Sequence, residues 1–326
     1  MRTTAALLLA ALVLVACGGD ADDVTASNIE AATTTATTQP TTTALPPASR
    51  QPATTRMAAS TTTASPTTTR TAPAGSGCAV LHGPGEYEGA GMFGDLKLPY
   101  WMVVPDAYSD IAPAPLSLHL ASGDGGHHSF MDGWRPLLDG LNGLMAMVNT
   151  VDAARGEPEA LLALVDHLSA EYCVDPQHVH VIGTGTSFGM AERFACSASD
   201  RVASFIAAMG TTFPGDCVPE RPVPLLSFSG DPDRGGVRAL VDRWVEFNGC
   251  APDPIVEDLG SGVHRKTYQG CEADILFYDI DGMPHAWPLH EARGPGATWI
   301  AEYDEVDYLV EAFRFFNDQP LPAGPS

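Results

Sequence analysis

From Gly18 to Gly77 the chain is dominated by Thr, Ala, Pro and Ser, with almost no large apolar residue. No other feature limits the fold as strongly. Runs such as Thr33-Thr34-Thr35, Thr41-Thr42-Thr43, Thr61-Thr62-Thr63 and Thr67-Thr68-Thr69 are typical of it. Such a stretch cannot bury enough apolar surface to offset the entropy of ordering it. It reads as a disordered stalk, open to O-glycosylation, that carries no chemistry. A packed core must therefore come from residues 78–326, which number 249 (326 minus 77). That is enough for one domain with a substantial core.

The charge divides at the same place. Residues 1–77 hold four acids (Asp20, Asp22, Asp23, Glu30) and four bases (Arg2, Arg50, Arg56, Arg70). The remaining 36 acids (40 minus 4) and 13 bases (17 minus 4) place the whole net charge of -23 on residues 78–326. A field of that sign excludes nucleic acid as a partner, because phosphate binding needs a basic patch.

Ahead of the stalk, Met1-Arg2 leads into an apolar run from Ala5 to Ala16, followed by Cys17. The run falls short of the roughly 20 apolar residues of a permanent membrane span and has the shape of a signal-peptide core. Leu14-Val15-Ala16-Cys17 resembles the bacterial lipobox. That likeness implies removal of residues 1–16, acylation of Cys17 and anchoring at the extracytoplasmic face of the cell membrane. The competing reading is an ordinary secretory signal that leaves a free Cys.

Six Cys follow the stalk: Cys78, Cys173, Cys196, Cys217, Cys250 and Cys271. An even number in an exported domain favours three disulfides, and six Cys allow 15 pairings. The expected set is Cys196–Cys217, Cys250–Cys271 and, by elimination, Cys78–Cys173. No C-x-x-C spacing supports zinc, and no metal is expected.

Short apolar runs alternate with helical patterns. Strands are expected at Tyr100–Val104, Leu116–Leu120, Leu144–Val148, Val179–Ile182, Leu225–Phe228 and Ile275–Ile280. Helices are expected at Pro158–Cys173, with Pro in its first position, at Val237–Asn248 and at Glu305–Phe316. Alternating strands and helices imply an α/β class: a mostly parallel central sheet with helices on both faces.

In such sheets chemistry sits just beyond the carboxyl ends of the strands. Val179–Ile182 runs into Gly183-Thr184-Gly185-Thr186-Ser187-Phe188-Gly189, where residues 185–189 spell the G-x-S-x-G nucleophile elbow. Leu225–Phe228 is followed by Ser229-Gly230-Asp231-Pro232-Asp233, and Ile275–Ile280 by Asp281-Gly282-Met283-Pro284-His285. The chain order Ser187, Asp233, His285 is that of α/β-hydrolases.

From about Tyr100 to Phe316 the chain resembles secreted polyhydroxybutyrate-depolymerase-like and feruloyl-esterase-like α/β-hydrolases, which include bacterial lipoproteins. The landmarks are Tyr100-Trp101-Met102-Val103-Val104-Pro105, Val174-Asp175-Pro176-Gln177-His178-Val179-His180-Val181 and Arg193-Phe194-Ala195-Cys196. Asp200-Arg201-Val202-Ala203, Asn248-Gly249-Cys250, Tyr268-Gln269-Gly270-Cys271 and His285-Ala286-Trp287-Pro288 complete them. The resemblance implies Asp233 as the acid of a catalytic triad, His285 as its base, a carboxylic ester as substrate and no cofactor. It also supports pairing Cys250 with Cys271.

The nucleophile departs from that pattern. In the family a V-Y-V-T-G strand precedes the elbow, and the Ser lies eleven residues before the Cys of an R-L-A-C helix. Val179-His180-Val181-Ile182-Gly183 matches the strand without a gap, and eleven residues before Cys196 stands Gly185, not Ser187. The family's His-Gly oxyanion loop is replaced by Ala121-Ser122-Gly123-Asp124-Gly125-Gly126. Two readings follow. In the active one, Ser187 forms the acyl-enzyme, and amides of Ser122 or Gly123 join that of Phe188 as the oxyanion hole. In the degenerate one, Gly185 occupies the nucleophile position, Ser187 caps the following helix, and the fold serves as a cell-envelope binding protein.

Several other features invite chemistry. Gly183–Gly189 also resembles a dinucleotide loop, but such loops open a fold rather than follow about a hundred residues of it, so no nucleotide cofactor is expected. His127-His128 read as loop residues, and His178 and His180 as filler at a strand entrance. Trp134 and Trp287 either line a cleft or pack in the core.

Overall fold

The computed structural model describes residues 78, 80, 82–121, 134–135, 137–140, 142–149, 158–210, 217–289 and 300–322. The stalk, Cys17, Ser122, Gly123, Asp124 and His127-His128 lie outside them. Among these residues, ten strands form one sheet: β1 Gly85–Phe93, β2 Leu96–Val104, β3 Ala114–Ala121, β4 Leu144–Asn149, β5 Val174–Thr184, β6 Ser204–Ala208, β7 Leu225–Ser229, β8 Ile255–Gly260, β9 Val263–Thr267 and β10 Ile275–Ile280. Their spatial order is β1-β2-β4-β3-β5-β6-β7-β10-β9-β8. The six central strands, β4 to β10 in that order, are mutually parallel. Antiparallel pairs, β1 with β2 and β9 with β8, close the two flanks. Short strands β11 Trp287–Leu289 and β12 Ile300–Glu302 pair separately.

All six expected strands are present. Their side chains alternate between two cores because successive residues of a strand point to opposite faces. Leu116, Leu118, Leu120 and Val181 face one core, which helices α1 (Pro158–Glu171), α2 (Phe188–Ser197) and α3 (Arg234–Phe247) cover with Leu164, Phe194 and Trp244. Met145, Met147, Ile182 and Ile206 face the other, covered by α4 (Tyr308–Asp318) through Tyr308, Leu309 and Phe316. Both faces are thus buried, and the helix boundaries shift for local reasons. Helix α4 begins at Tyr308 rather than Glu305, because the Asp307 carboxylate accepts from the N–H groups of Leu309 and Val310 and caps it there. Helix α1 stops at Glu171, since Cys173 is already extended and its carbonyl accepts from Ala114 at 2.7 Å.

The three disulfides are the expected ones: Cys78–Cys173, Cys196–Cys217 and Cys250–Cys271. They suit an oxidising compartment outside the cytoplasm. Among the described residues, no helix is long and apolar enough to cross a membrane. Trp134 and Trp287 are core residues, 1% and 4% exposed, and Trp287 stacks on Tyr308 with ring centroids 3.7 Å apart. His180 is filler too: its Nδ1 meets Ser204 Oγ at 2.9 Å, its ring stacks on Phe316, and burial drives its pKa down to about 3.

Candidate active site

Strand β5 ends at Thr184, in the middle of the sheet. Gly185 then takes φ +55°, a left-handed conformation that side-chain-bearing residues adopt only at a cost of roughly 1–2 kcal/mol. It opens a single 3₁₀ turn, Gly185–Ser187, from which α2 continues. Side-chain directions differ sharply within this turn. Gly185 is half-buried and Thr186 exposed, whereas Ser187 is 1% exposed. Ser187 occupies the position that precedes α2, yet its side chain makes no capping hydrogen bond. The N–H of Phe188, expected at the oxyanion hole, is donated to the carbonyl of Gly185. An amide committed to its own turn is not aimed at a substrate oxygen.

The expected acid and base come together. His285 Nδ1 lies 2.9 Å from Asp233 Oδ1 and 3.0 Å from Oδ2. An ionised carboxylate only accepts, so Nδ1 carries the proton and Nε2 is left with a basic lone pair. The Asp233 side chain is 3% exposed and the His285 side chain 55%, so the pair has a buried anchor and an accessible working end. That working end faces Gly185. A Cβ built on Gly185 would sit 3.5 Å from His285 Nε2 and 3.9 Å from Cε1. Gly185, Asp233 and His285 therefore converge beyond the carboxyl ends of β5, β7 and β10.

Several residues that hold this pair carried no sequence signal of their own. Gly230 and Met283 bring the loops after β7 and β10 into backbone contact: a Cβ on Gly230 would lie 2.0 Å from the Met283 carbonyl oxygen. The N–H of Asp231 donates to that oxygen at 3.0 Å, and the N–H of Gly282 donates to Asp231 Oδ1 at 3.1 Å. Arg234, at the start of α3, adds a second layer. Its Nε reaches Asp279 Oδ1 at 2.8 Å, and its Nη2 reaches Asp281 Oδ1 at 2.7 Å and Asp231 Oδ1 at 3.0 Å. Lys266 Nζ meets the other oxygen of Asp279 at 2.5 Å. Burial alone would raise the Asp279 pKa, but Lys266 and Arg234 outweigh it and hold the carboxyl below its ordinary value. Among the described residues, no three His, Cys, Asp or Glu side chains gather into a metal site.

A mostly parallel sheet with helices on both faces, and with these loops past its carboxyl edge, is the α/β-hydrolase fold. No family model matches the chain. It is 25% identical over 148 residues to feruloyl esterase B of Piromyces equi, an alignment taking in 37% of this chain and 27% of that protein. The chain thus spans about a quarter of the length of this curated relative. Among solved structures, an acetyl xylan esterase from Aspergillus awamori aligns with a TM-score of 0.49 at 10% identity, over 62% of this chain and 94% of its own. A thermostable esterase aligns with a TM-score of 0.47 at 13% identity, over 72% of this chain and 63% of its own.

Proposed function

We propose that residues 78–326 hydrolyse carboxylic esters of the polyester or feruloyl type, with Asp233 orienting His285 and His285 moving the proton. One observation carries the reading: His285 Nδ1 is held by both oxygens of a buried Asp233, while Nε2 is turned toward the β5 elbow. The partial likeness to a feruloyl esterase supports an ester as the substrate. Polyhydroxybutyrate-depolymerase-like kinship rests on the landmark segments of the sequence.

The nucleophile has two candidate origins. An acyl-enzyme on Ser187 requires its hydroxyl to meet Nε2 from a position that is 1% exposed. The approach of Gly185 to Nε2 supports the other reading, in which the elbow offers no side-chain nucleophile. Its wholly non-catalytic form would be a protein that holds cell-envelope glycan, lipid or polyester. In either case Cys17 would carry the lipid anchor, and the neutral stalk would hold the acidic domain away from the membrane.

The test is p-nitrophenyl and feruloyl ester hydrolysis by the full chain and by His285→Ala. Turnover that falls with His285→Ala is expected. Ester binding with no turnover in either protein would leave only the binding reading, and equal turnover by the two would overturn the role given to His285. Replacing Cys17 with Ala is expected to move the protein from the membrane fraction to the soluble one.

A further inference from the structure

We propose that this chain hydrolyses esters without an acyl-enzyme: His285, oriented by Asp233, takes a proton from solvent water, and that water attacks the ester carbonyl beside Gly185. The proposal rests on the ester-hydrolase reading and assigns its nucleophile.

Three observations lead there. Nε2 is the basic nitrogen of His285, since Nδ1 is engaged by both Asp233 oxygens at 2.9 and 3.0 Å. The ring is 55% exposed on its side chain, so solvent reaches it without a conformational change. Gly185 presents only its Cα to Nε2; a Cβ there would be 3.5 Å away, in ordinary van der Waals contact. A Cβ there clears Nε2, and a water beside Gly185 would donate its hydrogen bond to the Nε2 lone pair. Ser187, two residues further along, is buried at the start of α2.

The step balances with water as the only co-reactant. The water oxygen bonds to the carbonyl carbon, its proton passes to Nε2, and the carbonyl π electrons move onto oxygen. The tetrahedral adduct then collapses, the ester C–O bond breaks, and the leaving oxygen takes the proton back from Nε2. Carboxylic acid and alcohol leave, and His285 is neutral again.

Such a route has a preferred substrate class. Solvent water lacks the effective concentration of a tethered hydroxyl, and no covalent intermediate divides the barrier. The rate therefore depends steeply on the leaving group, which selects aryl esters of acidic phenols over alkyl esters.

The experiment uses the full chain in detergent, as wild type, His285→Ala and Gly185→Ser, with a series of substituted phenyl acetates. For wild type it should give turnover without an initial burst, a rate that climbs with phenol acidity, and no added mass after ester or fluorophosphonate treatment. His285→Ala should lose about 100-fold or more, the usual contribution of a general base. Gly185→Ser should gain a burst and a fluorophosphonate adduct on residue 185. A burst or adduct on Ser187 of the wild type would overturn the water route and leave the ester-hydrolase reading standing. Turnover that is absent, or indifferent to His285→Ala, would overturn both.

Discussion

The two halves of the site are built to different standards. On the β7 and β10 side, Asp233 and His285 are fixed by backbone contact at Gly230 and Met283, by the Asp231 hydrogen bonds and by the Arg234 ion pairs. On the β5 side the turn keeps the left-handed conformation of an elbow but puts a glycine at its apex and buries the neighbouring serine. A His–Asp pair held this firmly, with Nε2 directed at a residue that has no side chain, stands on different strands from the elbow, so a change in one need not disturb the other.

The largest effect expected from breaking the comparison is on the firm half. Asp233→Asn keeps the shape of the anchor, but its amide can donate to Nδ1 and favour the wrong tautomer. Hydrolysis should drop about 100- to 10,000-fold with little change in the thermal midpoint. A midpoint that collapses along with the rate would make Asp233 a structural residue instead.

The two glycines sharpen the contrast next. Gly230→Ala sets a methyl group against the Met283 backbone carbonyl, with no flexible side chain to give way. It should cost about 1–3 kcal/mol, as overpacking does, and reduce turnover by misplacing His285. Gly185→Ser meets only ordinary contact and pays about 1–2 kcal/mol for its left-handed φ. Circular-dichroism melts of both variants check this. Equal destabilisation with equal loss of turnover would mean that the elbow is as constrained as the clamp.

A smaller effect is expected of Asp231→Ala. It removes the acceptor for the Gly282 N–H and one Arg234 partner, but keeps the backbone bond to Met283. The lost hydrogen bond is worth about 1 kcal/mol. Turnover should fall several-fold, with Asp231→Asn recovering most of it. Failure of the Asn variant to rescue would shift the role from hydrogen bonding to charge.

What could be read in the sequence follows the same division. Five of the six central strands, β3, β4, β5, β7 and β10, were legible because both faces are buried, so they appear as continuous apolar runs. Strand β6, Ser204–Ala208, escaped because it is short and rich in small residues, although all five positions are buried. Strands β8 and β9 escaped because edge strands carry charge: Arg265 pairs with Glu257 across them, and Lys266 with Asp279. Asp233 and His285 stood out by their places after strands, and the Gly185 register by its distance from Cys196. Gly230 and Asp231 lie in the loop after β7 with no pattern that marks a role. Their partners, Gly282 and Met283, are about fifty residues away and meet them largely through backbone atoms, which leave no motif.

The smallest effect expected concerns Glu192, on the helix that follows the elbow. It is 2% exposed, and burial raises its pKa to about 7 against the opposing pull of Arg243, 3.6 Å away, and the Trp244 indole N–H at 3.3 Å. Between its unfolded value near 4.5 and about 7, the folded state binds more protons than the unfolded one. Stability from this group is therefore fully present below that lower value and is lost as pH rises through about 7. Glu192→Gln keeps an acceptor for the indole and removes the titration. The variant should melt close to wild type at pH 5 and a few degrees above it at pH 8, about 2–4 °C for each kcal/mol in a domain of this size. A pH 8 difference no larger than that at pH 5 would show the carboxylate to be stabilised by Arg243 after all. The dependence would then belong to the ion pair, and α2 would be as firmly tied to the sheet as the loops that carry Asp233 and His285.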